Sequence, residues 1–146
     1  MADLGGRYAA YTARLVDRVL TTPGHTAPEL RRAVLARAAR LGGGRDPAAG
    51  RATGEGVPAA LAAYVDKVAR HAYTVTDEDL GTLERAGHSD DALFELTVSA
   101  ALGAALGRLE RGLAALRGEA SPPVPLSAAR PHPLTPSPFG RGGTQE

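Results

Sequence analysis

The chain has 146 residues, of which 43% are hydrophobic and 23% charged, and its formal net charge is +1 at pH 7. This length suits one compact domain, and the composition is that of a folded protein rather than a disordered one. The sequence contains no cysteine, which excludes disulfides, thiolate metal sites, iron–sulfur clusters and cysteine nucleophiles.

The N-terminal third of the chain predicts two helices. Apolar residues spaced by three and four predict a first helix over residues 6–20, which a Thr-Pro-Gly turn ends. Thr26 stands three residues before Glu29, a capping-box pattern that predicts the start of a second helix ending at Leu41. Residues 42–56 lack apolar periodicity and are rich in glycine, alanine and arginine, so we predict a mobile connection there.

Three further helices are predicted up to residue 118. Proline in the first turn favours a third helix over residues 58–73. A second capping-box pair, Thr76 and Asp79, predicts a short fourth helix that ends before Gly87. The fifth and longest helix is predicted to have Ser89 as its N-cap and to extend to residue 117. The sequence has no isoleucine and no alternating β-branched run, so it predicts an all-α fold, a compact bundle of about five helices.

Residues 119–146 differ from the rest of the chain in composition. Seven of the eleven prolines lie in this segment. A proline-rich segment without apolar periodicity cannot form a packed core, so we predict a disordered tail after a helical domain over residues 1–118.

The fifth helix is predicted to have two faces. Stepping 100° per residue along it predicts a buried leucine-rich stripe, formed by Val98, Leu102, Ala105, Leu106, Leu109, Leu113 and Leu116. Gly103 and Gly107 lie on the opposite side. Glycine costs about 1 kcal/mol in a helix interior, which indicates that a second helix backbone packs there, from the same chain or from a partner subunit. The sequence therefore predicts a homo-oligomer through the Gly103/Gly107 face.

Glu95 interrupts the leucine-rich stripe. An isolated ionised carboxylate on a buried face is costly, so Glu95 needs a partner or access to solvent. One interpretation is structural: Glu95 lies near the positive end of its helix or pairs with an arginine. The other is functional: Glu95 is a carboxylate with a raised pKa that donates or accepts a proton.

The third helix supplies further candidate catalytic residues. Tyr64, Lys67 and His71 lie within about 60° of one another along the edge of its apolar face. Partial burial brings the pKa values of such groups toward neutrality, which suits acid–base chemistry or anion binding in one cleft. The alternative is structural, with the Lys67 stem covering apolar surface and its ammonium group in water.

Several motifs between residues 57 and 116 resemble the alkylhydroperoxidase D-like, carboxymuconolactone decarboxylase superfamily. They are Tyr64-Val65-Asp66-Lys67-Val68, Val75-Thr76-Asp77-Glu78-Asp79-Leu80, Leu83, Ala86-Gly87-His88-Ser89-Asp90, Phe94-Glu95-Leu96 and an alanine-rich run closed by Arg108. The resemblance implies an all-α fold whose helices pack into dimers, trimers or larger rings. Peroxidase members of this superfamily use a Cys-x-x-Cys pair, which this chain lacks, so we expect no hydroperoxidase activity.

Two functions follow from these observations. The first is a cysteine-free, oligomeric helical domain of the alkylhydroperoxidase D-like type with a binding or structural role. The alternative is an acid–base enzyme of the carboxymuconolactone decarboxylase type that acts on a small carboxylate or lactone with Glu95, His71, Lys67 and Tyr64 as candidate catalytic residues. No cofactor is expected under either hypothesis.

Other ligand classes have weaker signals. Residues 1–51 carry nine arginines against four carboxylates, but residues 76–95 carry seven carboxylates and one arginine, which argues against nucleic acid as a partner. The four histidines are scattered, so no metal site is predicted. The longest uncharged stretch, residues 96–107, is shorter than the ~20 residues that a membrane span needs. With no export signal before the first helix, we expect a cytoplasmic protein without membrane contact.

Overall fold

The computed structural model describes residues 8–44 and 56–119, and within these ranges it contains five α-helices and no strand. The helices are α1 (Ala9–Thr21), α2 (Pro28–Leu41), α3 (Ala59–His71), α4 (Asp77–Arg85) and α5 (Asp90–Leu116), and a 3₁₀ turn (Ala72–Thr74) follows α3. The predicted all-α bundle of five helices is confirmed. Most of the predicted mobile connection and nearly all of the predicted tail lie outside the described residues.

The helix ends of the second half of the chain follow the predicted caps. The Thr76 hydroxyl accepts a hydrogen bond from the Asp79 backbone N–H, and the Asp79 side chain accepts one from the Thr76 backbone N–H, which completes the capping box of α4. Ser89 accepts from the Ala92 backbone N–H at the start of α5. Gly87 follows α4 with φ of +98°, the left-handed conformation that favours glycine after a helix.

The capping box predicted at Thr26 and Glu29 is wrong. The N-cap of α2 is Ala27, which has no side-chain cap, and Pro28 occupies the first helical position. Thr26 instead donates its hydroxyl hydrogen to the Glu95 side chain of α5. A tertiary partner with a full negative charge therefore competes successfully with the local cap.

The centre of the bundle is α2 rather than α5. Seven of the 14 residues of α2 are buried, on nearly all sides of the helix, and they are Arg31, Ala33, Val34, Leu35, Ala36, Ala38 and Ala39. The longer α5 packs along one side of α2, while α1 and α3 contact other sides. A hydrophobic core between α2, α3, α4 and α5 includes Val34, Leu61, Val65, Leu83 and Leu96.

The contact between α2 and α5 is a close approach of two backbones. A Cβ atom added to Gly103 would overlap the carbonyl oxygen of Leu35, and one added to Gly107 would overlap that of Ala39. Residue numbers rise together along both helices, so α2 and α5 run in the same direction. Only glycine lets the two helix axes come this close.

The prediction that the leucine-rich stripe of α5 is buried is therefore wrong. Leu109 is 46% exposed and Leu116 is 86% exposed, whereas Ala100, Gly103, Ala104 and Gly107 on the opposite face are buried. The small residues form a flat surface that packs against α2 along several turns, and this contact turns Leu109 and Leu116 outward and leaves Leu102, Leu106 and Leu113 half-buried. The Gly103/Gly107 face is covered by α2 of the same chain, which is the first of the two possibilities that the glycines indicate, and the homo-oligomer stays a prediction.

We predict that Gly103→Ala destabilises the fold by about 1–3 kcal/mol, since the added methyl meets a backbone carbonyl that cannot move aside. Gly81→Ala in α4 is the matched control, because its Cβ would approach only the flexible end of the Arg85 side chain. The control is expected to be neutral or to gain up to about 1 kcal/mol from helix propensity. Urea unfolding followed by circular dichroism measures both changes, and equal stability of the two variants would contradict the backbone contact.

Candidate functional site

The densest polar cluster of the described residues surrounds the carboxylate of Glu95 in α5. Oε1 accepts a hydrogen bond from the His25 backbone N–H at 2.7 Å. Oε2 accepts from the Thr26 backbone N–H at 2.9 Å and from the Thr26 hydroxyl at 2.5 Å. Arg31 Nη1 donates to Oε2 at 3.1 Å. Glu95 therefore holds the α1–α2 loop and the first turn of α2 against α5.

Arg31 connects this carboxylate to the end of α1. Its side chain is 3% exposed, and Nη2 donates to the carbonyl oxygens of Leu20 at 3.2 Å and Thr22 at 2.7 Å. These carbonyls belong to the C-terminal end of α1, where a cation is favourable. The Nε atom of Arg31 is buried and has no hydrogen-bond partner among the described residues. Arg31 and Glu95 thus form a largely desolvated ion pair that joins three helices.

The loop between α1 and α2 fits closely over Glu95. A Cβ atom on Gly24 would overlap Oε1 of Glu95, so a larger residue there would displace the carboxylate from its hydrogen bonds. The next residue, His25, has Nδ1 at 3.4 Å from Glu95 Oε1 and Nε2 at 3.5 Å from Asp91 Oδ2. The loop therefore approaches the negatively charged first turns of α5 through backbone amides and one imidazole.

The hydrogen bonds of Glu95 favour its ionised form. Partial burial alone would raise the pKa of Glu95, but the donors from Thr26, His25 and Arg31 outweigh burial and lower the pKa from 4.5 to about 2. The expectation of a raised pKa is wrong, because the sequence does not show how many donors the loop supplies. The structural interpretation, in which Glu95 pairs with an arginine, is confirmed.

The candidate residues of α3 do not meet in one cleft. The Tyr64 hydroxyl is within 2.7 Å of the Thr97 hydroxyl of α5, and Tyr64 is only 5% exposed. Lys67 Nζ donates to both carboxylate oxygens of Asp79 in α4, at 2.6 and 2.8 Å, and this contact lowers the pKa of Asp79. His71 is exposed, and its ring meets the edge of the Tyr73 ring at a centroid distance of 5.8 Å.

His71 is also remote from Glu95. The guanidinium of Arg108 donates to the carbonyl oxygen of Ala69, which places the end of α3 beside the second half of α5. Arg108 lies more than three helical turns, roughly 20 Å, beyond Glu95. None of the described hydrogen bonds of Glu95 comes from α3. The arrangement therefore separates the two residues proposed for proton transfer.

A small groove lies beside the Glu95 cluster, between the end of α1 and the start of α5. Its volume is about 160 Å³, and its lining is mostly apolar, formed by Arg18, Val19, Thr22, Pro23, Arg31, Phe94, Glu95 and Val98. Pockets for small-molecule ligands usually have about 300–1,000 Å³. Within residues 8–44 and 56–119, no group of three histidine or carboxylate side chains is placed to hold a metal ion.

The partners in three ion pairs between helices were not identified by the sequence analysis, and one of these pairs, Lys67 with Asp79, is described above. Arg31 lies on the same face of α2 as Val34 and Leu35, so its position on a buried face was a signal, and Glu95 is the matching anion on a predicted buried face of α5. Arg37 of α2 donates to both oxygens of Asp66 in α3, at 2.6 and 2.9 Å. Nothing in the sequence identifies this pair, because Asp66 also has Arg70 at helical spacing.

The face of α5 directly opposite α2 is a second candidate site, which we call the α5 outer stripe. Its members project within about 40° of one direction and are Phe94, Val98, Ala101, Ala105, Leu109, Gly112 and Leu116. Val98 is half-buried and the other six residues are exposed, including Phe94 at 69% and Leu116 at 86%. The stripe contains no charged residue over its whole length, which is typical of an interaction surface.

The length and composition of α5 also suffice for crossing a membrane. Its most apolar 18-residue window has a mean hydropathy of 1.4, and 44% of that window is buried inside the fold. The core helix of a soluble protein passes the same test, so this is weak evidence for a membrane span.

Comparisons with protein-family models, with curated proteins and with solved structures found no match to this chain.

We predict that Glu95→Gln lowers the free energy of unfolding at pH 7 by about 2–4 kcal/mol, because it leaves the Arg31 charge buried without a counter-ion. Glu84→Gln, an exposed substitution of the same chemistry in α4, is the control and is expected to change stability by less than about 0.5 kcal/mol. Denaturant titration of both variants measures the difference.

The difference in stability between the wild type and Glu95→Gln is expected to depend on pH. A carboxylate with a lowered pKa in the folded state stabilises the fold fully above its unfolded pKa of 4.5 and loses this contribution as the pH falls toward about 2. The stability difference between the wild type and Glu95→Gln is therefore expected to narrow by on the order of 2 kcal/mol between pH 5 and pH 2. A difference that stays constant over this range would contradict the ion-pair account.

Proposed function

We propose that this protein is a cysteine-free, oligomeric helical domain of the alkylhydroperoxidase D-like type that acts by binding a protein partner rather than by catalysis. The main support is the α5 outer stripe, in which Phe94, Leu109 and Leu116 expose large apolar side chains on one uncharged face. Monomeric soluble proteins rarely expose large continuous apolar faces, and a face of this kind marks an interaction site. The family assignment within this proposal stands on the motifs quoted from residues 64 to 108.

The contacts of the candidate catalytic residues support a structural role for these residues. Glu95 is held as a carboxylate by four donors, and its lowered pKa makes it a poor proton donor near neutrality. Tyr64 and Lys67 are hydrogen-bonded to Thr97 and Asp79, which fixes α3 against α5 and α4. These three side chains stabilise the bundle through contacts that leave them little freedom to take part in a reaction.

The acid–base alternative requires a substrate site that brings His71 and Glu95 together. The described groove is small, and His71 lies at the other end of the bundle. A small carboxylate that raised the melting temperature of the wild type but not of the His71→Ala variant would favour this alternative over a binding role.

The proposed function predicts association in solution. A monomer has a mass of 15.0 kDa, and we expect light scattering coupled to size-exclusion chromatography to give at least twice this mass for the full chain at micromolar concentration. The mass should fall on dilution, since burial of one apolar stripe per chain is a modest driving force. Purified protein should not turn over hydroperoxides, because it has no thiolate to attack the peroxide oxygen. A monomer at all concentrations would contradict the proposal.

A further inference from the structure

We propose that two copies of this chain pair through their α5 outer stripes in antiparallel orientation, with Ala105 at the two-fold axis. This inference rests on the proposed function and names the partner and the surface. It is carried by three properties of the stripe: its continuity, its alternation of large and small residues, and the distribution of charge along α5.

The stripe is continuous over most of the longest helix. From Phe94 to Leu116 it extends roughly 33 Å at 1.5 Å per residue. It lies directly opposite the face that packs against α2, and among the described residues only α1 borders it, beside Phe94 and Val98. The spacing of three and four residues between members is the spacing that lets one helix pack along another.

The stripe is complementary to itself when reversed. With Ala105 at the axis, Phe94 of one chain faces Leu116 of the other, and Val98 faces Gly112. Leu109 then faces Ala101, and Ala105 faces its own copy. A Cβ atom at Gly112 would meet nothing within 4 Å, so this position is open to receive a side chain from a partner. Large side chains thus meet small ones in the middle of the pair, which is how packed helices fill their interface.

The charges of α5 favour the antiparallel orientation over the parallel one. The first turn carries Asp90 and Asp91 without a basic residue, whereas Arg117 follows the last turn. Arg117 is paired with Glu119 of its own chain, but residues 104–119 still carry three arginines against two glutamates, so reversing one helix brings the acidic start of α5 toward a net positive half of the partner helix and also opposes the two helix dipoles. A parallel pair would place Asp90 and Asp91 beside their own copies, and like charges at that distance repel.

A membrane surface is the other occupant that an apolar stripe accommodates. Amphipathic helices that lie on membranes carry lysine and arginine along their polar face, which attracts anionic lipids. Over its whole length α5 carries four carboxylates against two arginines, and its first half has no basic residue. The observations therefore favour a second copy of the chain.

The absence of native cysteine allows a direct test by disulfide mapping in the full-length protein. Each variant is oxidised with copper phenanthroline at micromolar concentration and analysed by non-reducing electrophoresis. We expect Ala105→Cys to form a covalent dimer, because residues at the axis face their own copies within disulfide distance. The control, Ala63→Cys, is exposed on α3 and is expected to stay mostly monomeric on the gel.

The orientation is tested with Val98 and Gly112. In the antiparallel pair the two copies of Val98 lie far apart, so we expect no cross-link in the single variant Val98→Cys. The double variant Val98→Cys/Gly112→Cys is expected to cross-link, because Val98 of one chain faces Gly112 of the other. Efficient cross-linking of Val98→Cys alone would indicate a parallel pair and would overturn the inference. Cross-linking at Ala63→Cys without any at Ala105→Cys would overturn it as well.

A charge at the axis supplies an independent measurement. Ala105→Glu changes an exposed residue, so helicity by circular dichroism is expected to stay unchanged while the mass by light scattering falls to that of a monomer. An unchanged oligomer mass in this variant would overturn the proposed pairing and leave the proposed function in place. A monomeric wild type that co-sediments with vesicles of phosphatidylcholine and phosphatidylserine would instead overturn both.

Discussion

The close approach of α2 and α5 is the contact on which the rest of the fold depends. The glycines at 103 and 107 meet the carbonyl oxygens of Leu35 and Ala39, so the two helices pack backbone against backbone. Because α2 is short and rich in alanine, α5 covers one of its sides and leaves the others to α1 and α3. The same contact fixes the rotation of α5 about its axis, which decides that Phe94, Leu109 and Leu116 point away from the bundle while Leu96 lies in the core.

The ion pair of Arg31 and Glu95 acts at the other end of this contact. It lies near the N-terminal ends of α2 and α5, where the positive ends of both helices favour a carboxylate. Arg31 also binds the last carbonyls of α1, so one guanidinium fixes where α1 ends and where the next loop turns. Because desolvation offsets much of its attraction, a buried ion pair of this kind adds little net stability, yet removal of one partner alone is costly.

The sequence predicted the local features of the fold well and the tertiary contacts poorly. The five helices and the caps at Thr76 and Ser89 depend on neighbouring residues, so spacing alone identifies them. The sequence analysis placed the wrong face of α5 in the core because it assigned the leucines, as large apolar side chains, to the buried side. The packing of α5 on α2 depends instead on how closely glycine lets the two backbones approach. Tyr64 and Lys67 lie on one side of α3, as their spacing predicts. Their hydrogen-bond partners, Thr97 and Asp79, belong to α5 and α4, and residue spacing within one helix does not predict contacts with another helix.

The glycine face of α5 is covered by α2 of the same chain, and Leu109 and Leu116 lie on the outside. Nuclear Overhauser effects in isotope-labelled protein, filtered to separate contacts within a chain from contacts between chains, measure this directly. The account predicts intrachain effects from the α-protons of Gly103 and Gly107 to protons of Leu35 and Ala39, and none from Leu116 to α2. Intrachain effects from Leu109 and Leu116 to α2, with the glycines silent, would contradict it.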